Sequence, residues 1–209
     1  MKVAKEKRQM NAMLAICKKV LFAINNRIDK FRNYVLIRYN QVGFGKGVLW
    51  EGIIHIRNDG KIVVGDNARI NSGAYHNPVG GYRKTALITE KSGYIQIGNH
   101  CGISNSLLYS VEEIIIEDYV MIGGGCSICD TDFHPLNYEK RIIHDVASIA
   151  HKSVYIREGA FIGMNSIILK GVTIGKHSIV AAGSVVTKDI PDSEIWGGNP
   201  ARFIRKVTD

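Results

Sequence analysis

Residues 154–188 read VYIREGAFIGMNSIILKGVTIGKHSIVAAGSVVTK, and an aliphatic residue returns there at every sixth position: Ile156, Ile162, Ile168, Ile174, Val180 and Val186. Small or medium residues stand two positions earlier, at Ala160, Ser166, Val172, Ser178 and Ser184, and a glycine often follows the aliphatic, as at Gly163 and Gly175. The same phase appears upstream at Ile97 and Ile103, at Ile116, Ile122 and Ile128, and more weakly at Val64 and Ile70, with Ala68, Cys101, Val120 and Cys126 in the small slot. Three six-residue sides make one triangular coil: the aliphatic points inward, the small residue fits near the corner, and glycine or Asx permits the turn. Stacked at about 4.8 Å per coil, such coils form three parallel sheets around one apolar column.

Two stretches break the register, residues 76–93 and residues 130–153. In a solenoid such insertions are loops thrown off the column, commonly on the binding face, so the chemistry is expected there. Cys126 and Cys129 have the spacing of a redox or zinc half-site, but no second pair exists and Cys126 occupies the small inward slot, so they read as packing residues. Four cysteines in 209 residues are too few for a disulfide scaffold and point to a reducing compartment.

The net charge of +8 would suggest a nucleic-acid partner if it were spread over the surface. It is not spread: residues 1–40 hold ten basic and two acidic residues, 10 − 2 = +8, and residues 41–209 hold 17 of each, which cancel. No nucleic-acid partner is therefore expected. Met10, Leu14, Cys17, Leu21, Ile24, Ile28, Phe31 and Val35 recur at alternating spacings of four and three, the apolar stripe of a helix. Its polar positions are mostly basic, at Lys18, Lys19, Arg27, Lys30 and Arg32. Lys18 and Lys19 interrupt the only run that could serve as a signal peptide or membrane span, so a cytoplasmic protein is expected. The stripe leaves two readings open: packing on the chain's own domain or a neighbouring subunit, the usual use of such a face, or lying on an anionic membrane surface, which would place the protein at the inner membrane.

The fold expected is all-β, a parallel β-helix with an N-terminal amphipathic helix and a short C-terminal helix. The chain divides into a basic helical segment, 1–40, and a β-helix domain, 41–209.

The segment Asp130-Thr131-Asp132-Phe133-His134-Pro135, followed by Ala160-Phe-Ile-Gly-Met-Asn, Ala182-Gly-Ser-Val-Val-Thr-Lys-Asp-Ile-Pro and Gly197-Gly-Asn-Pro-Ala-Arg, resembles the hexapeptide-repeat acyltransferases, in their galactoside, maltose and polysaccharide O-acetyltransferase branch. The match covers roughly residues 95–207. The resemblance implies a left-handed helix, a homotrimer with sites at subunit boundaries, acetyl-CoA as acyl donor, a sugar or glycan hydroxyl as acceptor, and no metal requirement. It assigns His134 as general base, the Met164 amide as donor to the developing oxyanion, and Asn105 to the acceptor site, although Asn105 reads equally as a turn asparagine. Asp130 and Asp132 either orient the imidazole or bind sugar hydroxyls, or are solvated loop acids, and Tyr82 and Arg83 beside His76 help to shape the acceptor site. Ala182, Thr187 and Lys188 match positions along the pantetheine arm and phosphates, and Arg202 and Arg205 match basic residues placed for the phosphates. Phe161 stands where the family has a tryptophan beside the acetyl group.

The chemistry suits these groups. A sugar hydroxyl is too weakly acidic to ionise near neutral pH, so a neutral imidazole must take its proton as the oxygen attacks the thioester carbonyl, and a rigid amide must receive the charge that collects on the carbonyl oxygen. Other readings compete with this one. γ-Carbonic anhydrases share the fold, but their histidine pair five positions apart is absent among His55, His76, His100, His134, His144, His151 and His177. N-acylation of an amino sugar needs a similar base and groove, and a non-catalytic assembly module would be expected to lose the loop histidine and the cofactor string.

Overall fold

The computed structural model describes residues 2–208. A long helix, α1 (Lys2–Tyr39), leads into six coils of a parallel β-helix. Sheet I stacks β1 (Gly43–Phe44), β4 (Lys61–Val64), β7 (Tyr94–Ile97), β10 (Glu113–Ile116), β13 (Val154–Ile156) and β16 (Thr173–Ile174). Sheet II stacks β2 (Leu49–Glu51), β5 (Arg69–Asn71), β8 (Gly102–Ser104), β11 (Met121–Ile122), β14 (Phe161–Ile162) and β17 (Ile179–Val180), and sheet III stacks β3 (His55–Asn58), β6 (Ala86–Thr89), β9 (Leu107–Ser110), β12 (Ser127–Cys129), β15 (Ile167–Ile168) and β18 (Val185–Val186).

The register follows the six-residue period directly. Ile103, Ile122, Ile162 and Val180 are in-register neighbours down sheet II, and Ile97, Ile116, Ile156 and Ile174 down sheet I. Every aliphatic of the repeat is at most 3% exposed, and the small slot at Ala68, Cys101, Val120, Cys126, Ala160, Ser166, Ser178 and Ser184 is equally buried. Each fully buried isoleucine contributes on the order of 2 kcal/mol of apolar transfer, and the column repeats it coil after coil. Left-handed backbone at the corner between sheets I and II is taken by Asn67, His100, Tyr119, Gly159 and His177, and the rings of His100 and Tyr119 stack there at 5.0 Å.

Both ends of the column are closed. At the first coil, Ile37 of α1 and Val42 are buried, and Asn33 donates to Gly52 O (2.6 Å) while accepting from Ile54 N (3.3 Å). At the last coil, β19 (Glu194–Gly197) adds to sheet II and brings Trp196 onto Val180.

Two expectations are corrected. The short C-terminal helix is instead a strand, β20 (Arg202–Lys206), antiparallel to β19: the exposed edge of sheet II offers hydrogen-bonding groups that a strand satisfies and a helix would not. The first break is 72–85 rather than 76–93, because Ala86–Thr89 form β6, paired on both sides with β3 and β9. The second excursion, between Cys129 and Val154, carries a short helix, α2 (Tyr138–Ile142), and a 3-10 turn at Val146–Ser148.

Candidate functional site

The functional candidates fall on two edges of the prism. The edge between sheets II and III is a column of corners: Asn105, Gly125, Asn165 and Gly183, each at positive φ. At the fifth coil, Gly163 N donates to Val180 O (2.8 Å) and Asn165 N to Gly124 O (2.9 Å), while the Met164 N–H between them finds no acceptor among the described residues. The pattern repeats one coil on, where Ala181 N and Gly183 N are bonded and the Ala182 N–H is not. The β-helix thus holds backbone donors at fixed corners without using them. Met164 and Ala182 are both exposed, and Phe161, 46% exposed, stands on the adjoining face of sheet II between Met121 and Ile179.

The 72–85 excursion lies along this same edge. Gly80 packs backbone to backbone on the fourth-coil corner: a Cβ there would stand 2.8 Å from Gly125 N, and one on Gly124 would stand 2.1 Å from Val79 O. Arg83 donates to Gly125 O (3.1 Å), and Tyr82 is almost fully exposed at the tip. Asn105 is what holds the excursion down. Its amide donates to Asn77 O and Val79 O (2.8 Å each), its oxygen accepts from Gly73 N (2.7 Å), and the residue has no exposed surface. The expectation that Asn105 touches the acceptor is therefore corrected to its turn reading, since a buried amide with both donors used cannot meet a ligand.

The edge between sheets III and I carries the second set. Asp130 is completely buried; Oδ2 accepts from Ser110 Oγ (2.7 Å) and Glu112 N (2.9 Å), and Oδ1 accepts from Val111 N (2.8 Å). It caps the turn between β9 and β10, so the expectation of a sugar-binding Asp130 is corrected on the same ground. The loop is pinned by Lys152 N donating to Asp130 O (2.8 Å) and Asp132 N to Ala150 O (3.0 Å), and by the Phe133 ring set edge-on against Tyr109 at 4.8 Å. Phe133 has positive φ (64°) and Pro135 is buried, and between them His134 projects outward, exposed. Asp132 Oδ1 pairs with Lys170 Nζ at 2.7 Å, while its Oδ2 is buried without a partner among the described residues.

Within one chain the two sets do not meet. β12 separates the Gly124 corner from the 130–153 excursion by about five extended residues, roughly 16 Å at 3.3 Å per residue. On the first edge stand Tyr82, Arg83, Met164 and Ala182, with Arg202 of β20 opposite Gly197 farther down and Arg205 exposed on the same strand. On the second stand His134 and Asp132 and, two coils down, Thr187 and Lys188, whose Nζ lies 5.4 Å from the centre of the Trp196 ring. The Lys170 partner of Asp132 and the unspent Ala182 amide were not legible from spacing, since no period marks which corner groups remain unbonded. Cys126 and Cys129 are buried, and burial raises both thiol pKa values, that of Cys129 to about 11. Among the described residues no three His, Cys, Asp or Glu side chains gather into a metal-holding group.

Residues 153–188 match the model of the bacterial transferase hexapeptide family (six repeats). A hexapeptide-repeat-containing acetyltransferase of Vibrio cholerae, solved with acetyl coenzyme A, is 34% identical, with 61% of this chain and 70% of that chain covered and a TM-score of 0.53. A galactoside O-acetyltransferase of Lactococcus lactis is 39% identical over 105 residues, 50% of this chain and 49% of that protein. The mitochondrial gamma carbonic anhydrase 1 of Arabidopsis thaliana is 36% identical over 148 residues, 59% of this chain and 52% of that protein. The chain spans about half the length of these two curated relatives. A mutant of AntD, an N-acyltransferase from Bacillus cereus solved with dTDP and coenzyme A, is 24% identical with a TM-score of 0.66, a likeness of fold. Fold, repeat and relatives define the class, parallel β-helices built from hexapeptide repeats. This chain belongs to the hexapeptide-repeat acetyltransferase family.

Proposed function

We propose that the chain is an acetyl-CoA-dependent O-acetyltransferase acting on a sugar or glycan hydroxyl, with each site built between two copies of a homotrimer. The observation that carries this reading is the Met164 N–H, unspent at an exposed corner between the bonded amides of Gly163 and Asn165. A donor fixed before the reaction stabilises a developing oxyanion without reorganisation, a contribution of about 3 kcal/mol in comparable acyl-transfer sites. The base is His134, on the other edge, so the neighbouring copy supplies it. Several relatives support this chemistry, since the Vibrio cholerae protein was solved with acetyl coenzyme A and two galactoside O-acetyltransferases are among the similar proteins.

The residues suit the donor substrate. The edge offers a second free amide at Ala182, open space at Gly183 and exposed cations at Arg202 and Arg205 for phosphates. In the reaction His134 accepts the acceptor hydroxyl proton as the oxygen bonds to the acetyl carbon. The Met164 N–H receives the carbonyl oxygen as charge builds, the carbon–sulfur bond breaks, and the proton passes from His134 to the leaving sulfur. Tyr82 and Arg83, on the excursion beside the Met164 edge, face the acceptor. Lys170 holds Asp132 at the base of the His134 loop and so positions the histidine rather than contacting substrate.

Free thiol released from acetyl-CoA, measured over glycosides, nucleotide sugars, lipid-linked glycans and amino sugars, tests the proposal. Release that depends on a hydroxyl acceptor and on His134 is expected. Turnover of amino sugars alone would replace it with N-acylation, and coenzyme A binding without turnover of any acceptor would end it.

A further inference from the structure

Helix α1 wears its apolar stripe on the wrong side for packing on its own domain. The face that meets the β-helix is a different one: Phe22 packs on the His76 ring at 5.8 Å, Ile37 is buried, Asn26 and Asp29 are part-buried, Asn33 is bonded to Gly52 and Ile54, and Asp29 lies 3.8 Å from His76 Nε2. At 100° per residue the stripe of Leu14, Cys17, Leu21, Ile24, Ile28, Phe31 and Val35 points roughly the opposite way. Leu14, Ile24, Ile28 and Val35 are each 49% exposed, Leu21 59% and Phe31 68%. Exposed apolar surface on this scale is covered by something outside the chain.

The charge pattern chooses the cover. Arg27 borders one edge of the stripe, Lys18 and Arg32 the other, and Asp29 is turned toward the domain. In a parallel bundle of copies, Arg27 of one helix would face Arg32 of the next, five positions on, with no acid at any flanking position to relieve them. The β-helix of a second copy offers no net negative charge, because residues 41–209 balance at zero. No described helix is long and apolar enough to cross a membrane, so a stripe that meets a bilayer meets it lying flat. We propose that α1 is an interfacial anchor whose occupant is an anionic phospholipid bilayer, the apolar stripe sunk among acyl chains and the bordering lysines and arginines against lipid phosphates.

The anchor reading is independent of the catalytic one. It is tested by co-sedimentation of the full chain with phosphatidylglycerol-containing vesicles and with phosphatidylcholine vesicles, at low and high salt, with mass measured by light scattering. Binding to the anionic vesicles alone is expected, weakening as salt rises, with about fivefold lost per basic side chain removed and more per one reversed. Arg27→Glu/Arg32→Glu should therefore weaken binding by more than an order of magnitude, and Ile24→Glu/Phe31→Glu should abolish it, both with unchanged mass and melting temperature. A chain that ignores anionic vesicles at low salt overturns the proposal, as does one that binds both vesicle types equally. So does a fall in mass on Ile24→Glu/Phe31→Glu, which would make the stripe a contact between copies.

Discussion

Gly163 lies directly over the backbone of Ala182: a Cβ at position 163 would stand 2.5 Å from the Ala182 nitrogen and 2.7 Å from Val180 O. Both neighbours are main-chain atoms of the next coil and cannot swing aside, so a methyl group must push the two corners apart. Gly163→Ala is expected to cost about 1–3 kcal/mol, seen as a lower melting temperature. It should weaken coenzyme A binding as well, because the Met164 and Ala182 amides move with their corners. Unchanged melting and affinity would show that the corner is more yielding than its geometry indicates.

Asp130 separates structural from substrate-binding roles for a loop acid. Asp130→Ala would leave Ser110 Oγ, Val111 N and Glu112 N without their acceptor, at about 1–3 kcal/mol for the buried Ser110 hydroxyl and less for the two part-buried amides. The variant is expected to melt several degrees lower and to keep the acceptor KM of the remaining folded protein. A large rise in KM with no loss of stability would return Asp130 to the acceptor site.

The inward path of the chain could be read from spacing because the period states which residues point inward, and Ile156 to Val186 occupy the interior as the spacing requires. What spacing could not supply is the hydrogen-bond account of each polar residue. Asn105 and Asp130 stand beside the chemistry in sequence and are yet consumed by the scaffold, one tying down Asn77 and Val79, the other capping the 110–112 turn. Likewise β20 forms because a neighbouring strand edge needs a partner, a demand that comes from β19 and not from residues 202–206 themselves. The direction of the α1 stripe is of the same kind: its existence is periodic, its orientation is decided by Asn33 bonding to Gly52 and Ile54.

The cysteines give a simple check on the packing. Burial raises the Cys101 and Cys129 thiols to about 11 and pushes Cys126 up as well, so near pH 8 each is protonated as well as enclosed. Cys17 is exposed on α1. A disulfide reagent should therefore titrate one thiol of the four in the native protein and all four in denaturant. Fast reaction of a second thiol would mean that the column opens around the third or fourth coil.

Glu112 and Asp118 are among the carboxylates held below their ordinary range. The side-chain hydrogen bond from His151 holds Glu112 below its ordinary 4.5, and hydrogen bonds from Asn99 hold Asp118 below 3.8. Folded values below the unfolded ones mean that the contribution is complete above the ordinary carboxylate range and is lost as pH falls through the folded values. Both groups face solvent, so the effect is modest. Melting temperature should be flat down to about pH 5 and decline below it, with a smaller decline in Glu112→Gln.

His134→Ala should lower transfer by about 10²- to 10⁴-fold, the usual share of a general base. Its side chain is exposed and no hydrogen bond of the described residues involves it, so melting temperature and coenzyme A affinity should stay put. Equal activity would move the base elsewhere in the 130–153 excursion, to His144 or His151.

The separation of His134 from the Met164–Ala182 edge makes a sharper prediction than either residue alone. If each channel joins the III–I edge of one copy to the II–III edge of the next, a copy lacking His134 and a copy with a blocked edge damage different halves of the site. His134→Ala and Ala182→Trp should each be inactive as homotrimers, the second because an indole at that exposed corner fills the acyl path. Mixed by co-expression in equal amounts, they should recover about a quarter of wild-type activity, the share of interfaces in a closed ring that pair an intact His134 with an intact Ala182. Sites contained within single chains give no recovery whatever the mixing, so an inactive mixture of verified heterotrimers would place base and amide in the same chain and require the 130–153 loop to cross sheet III.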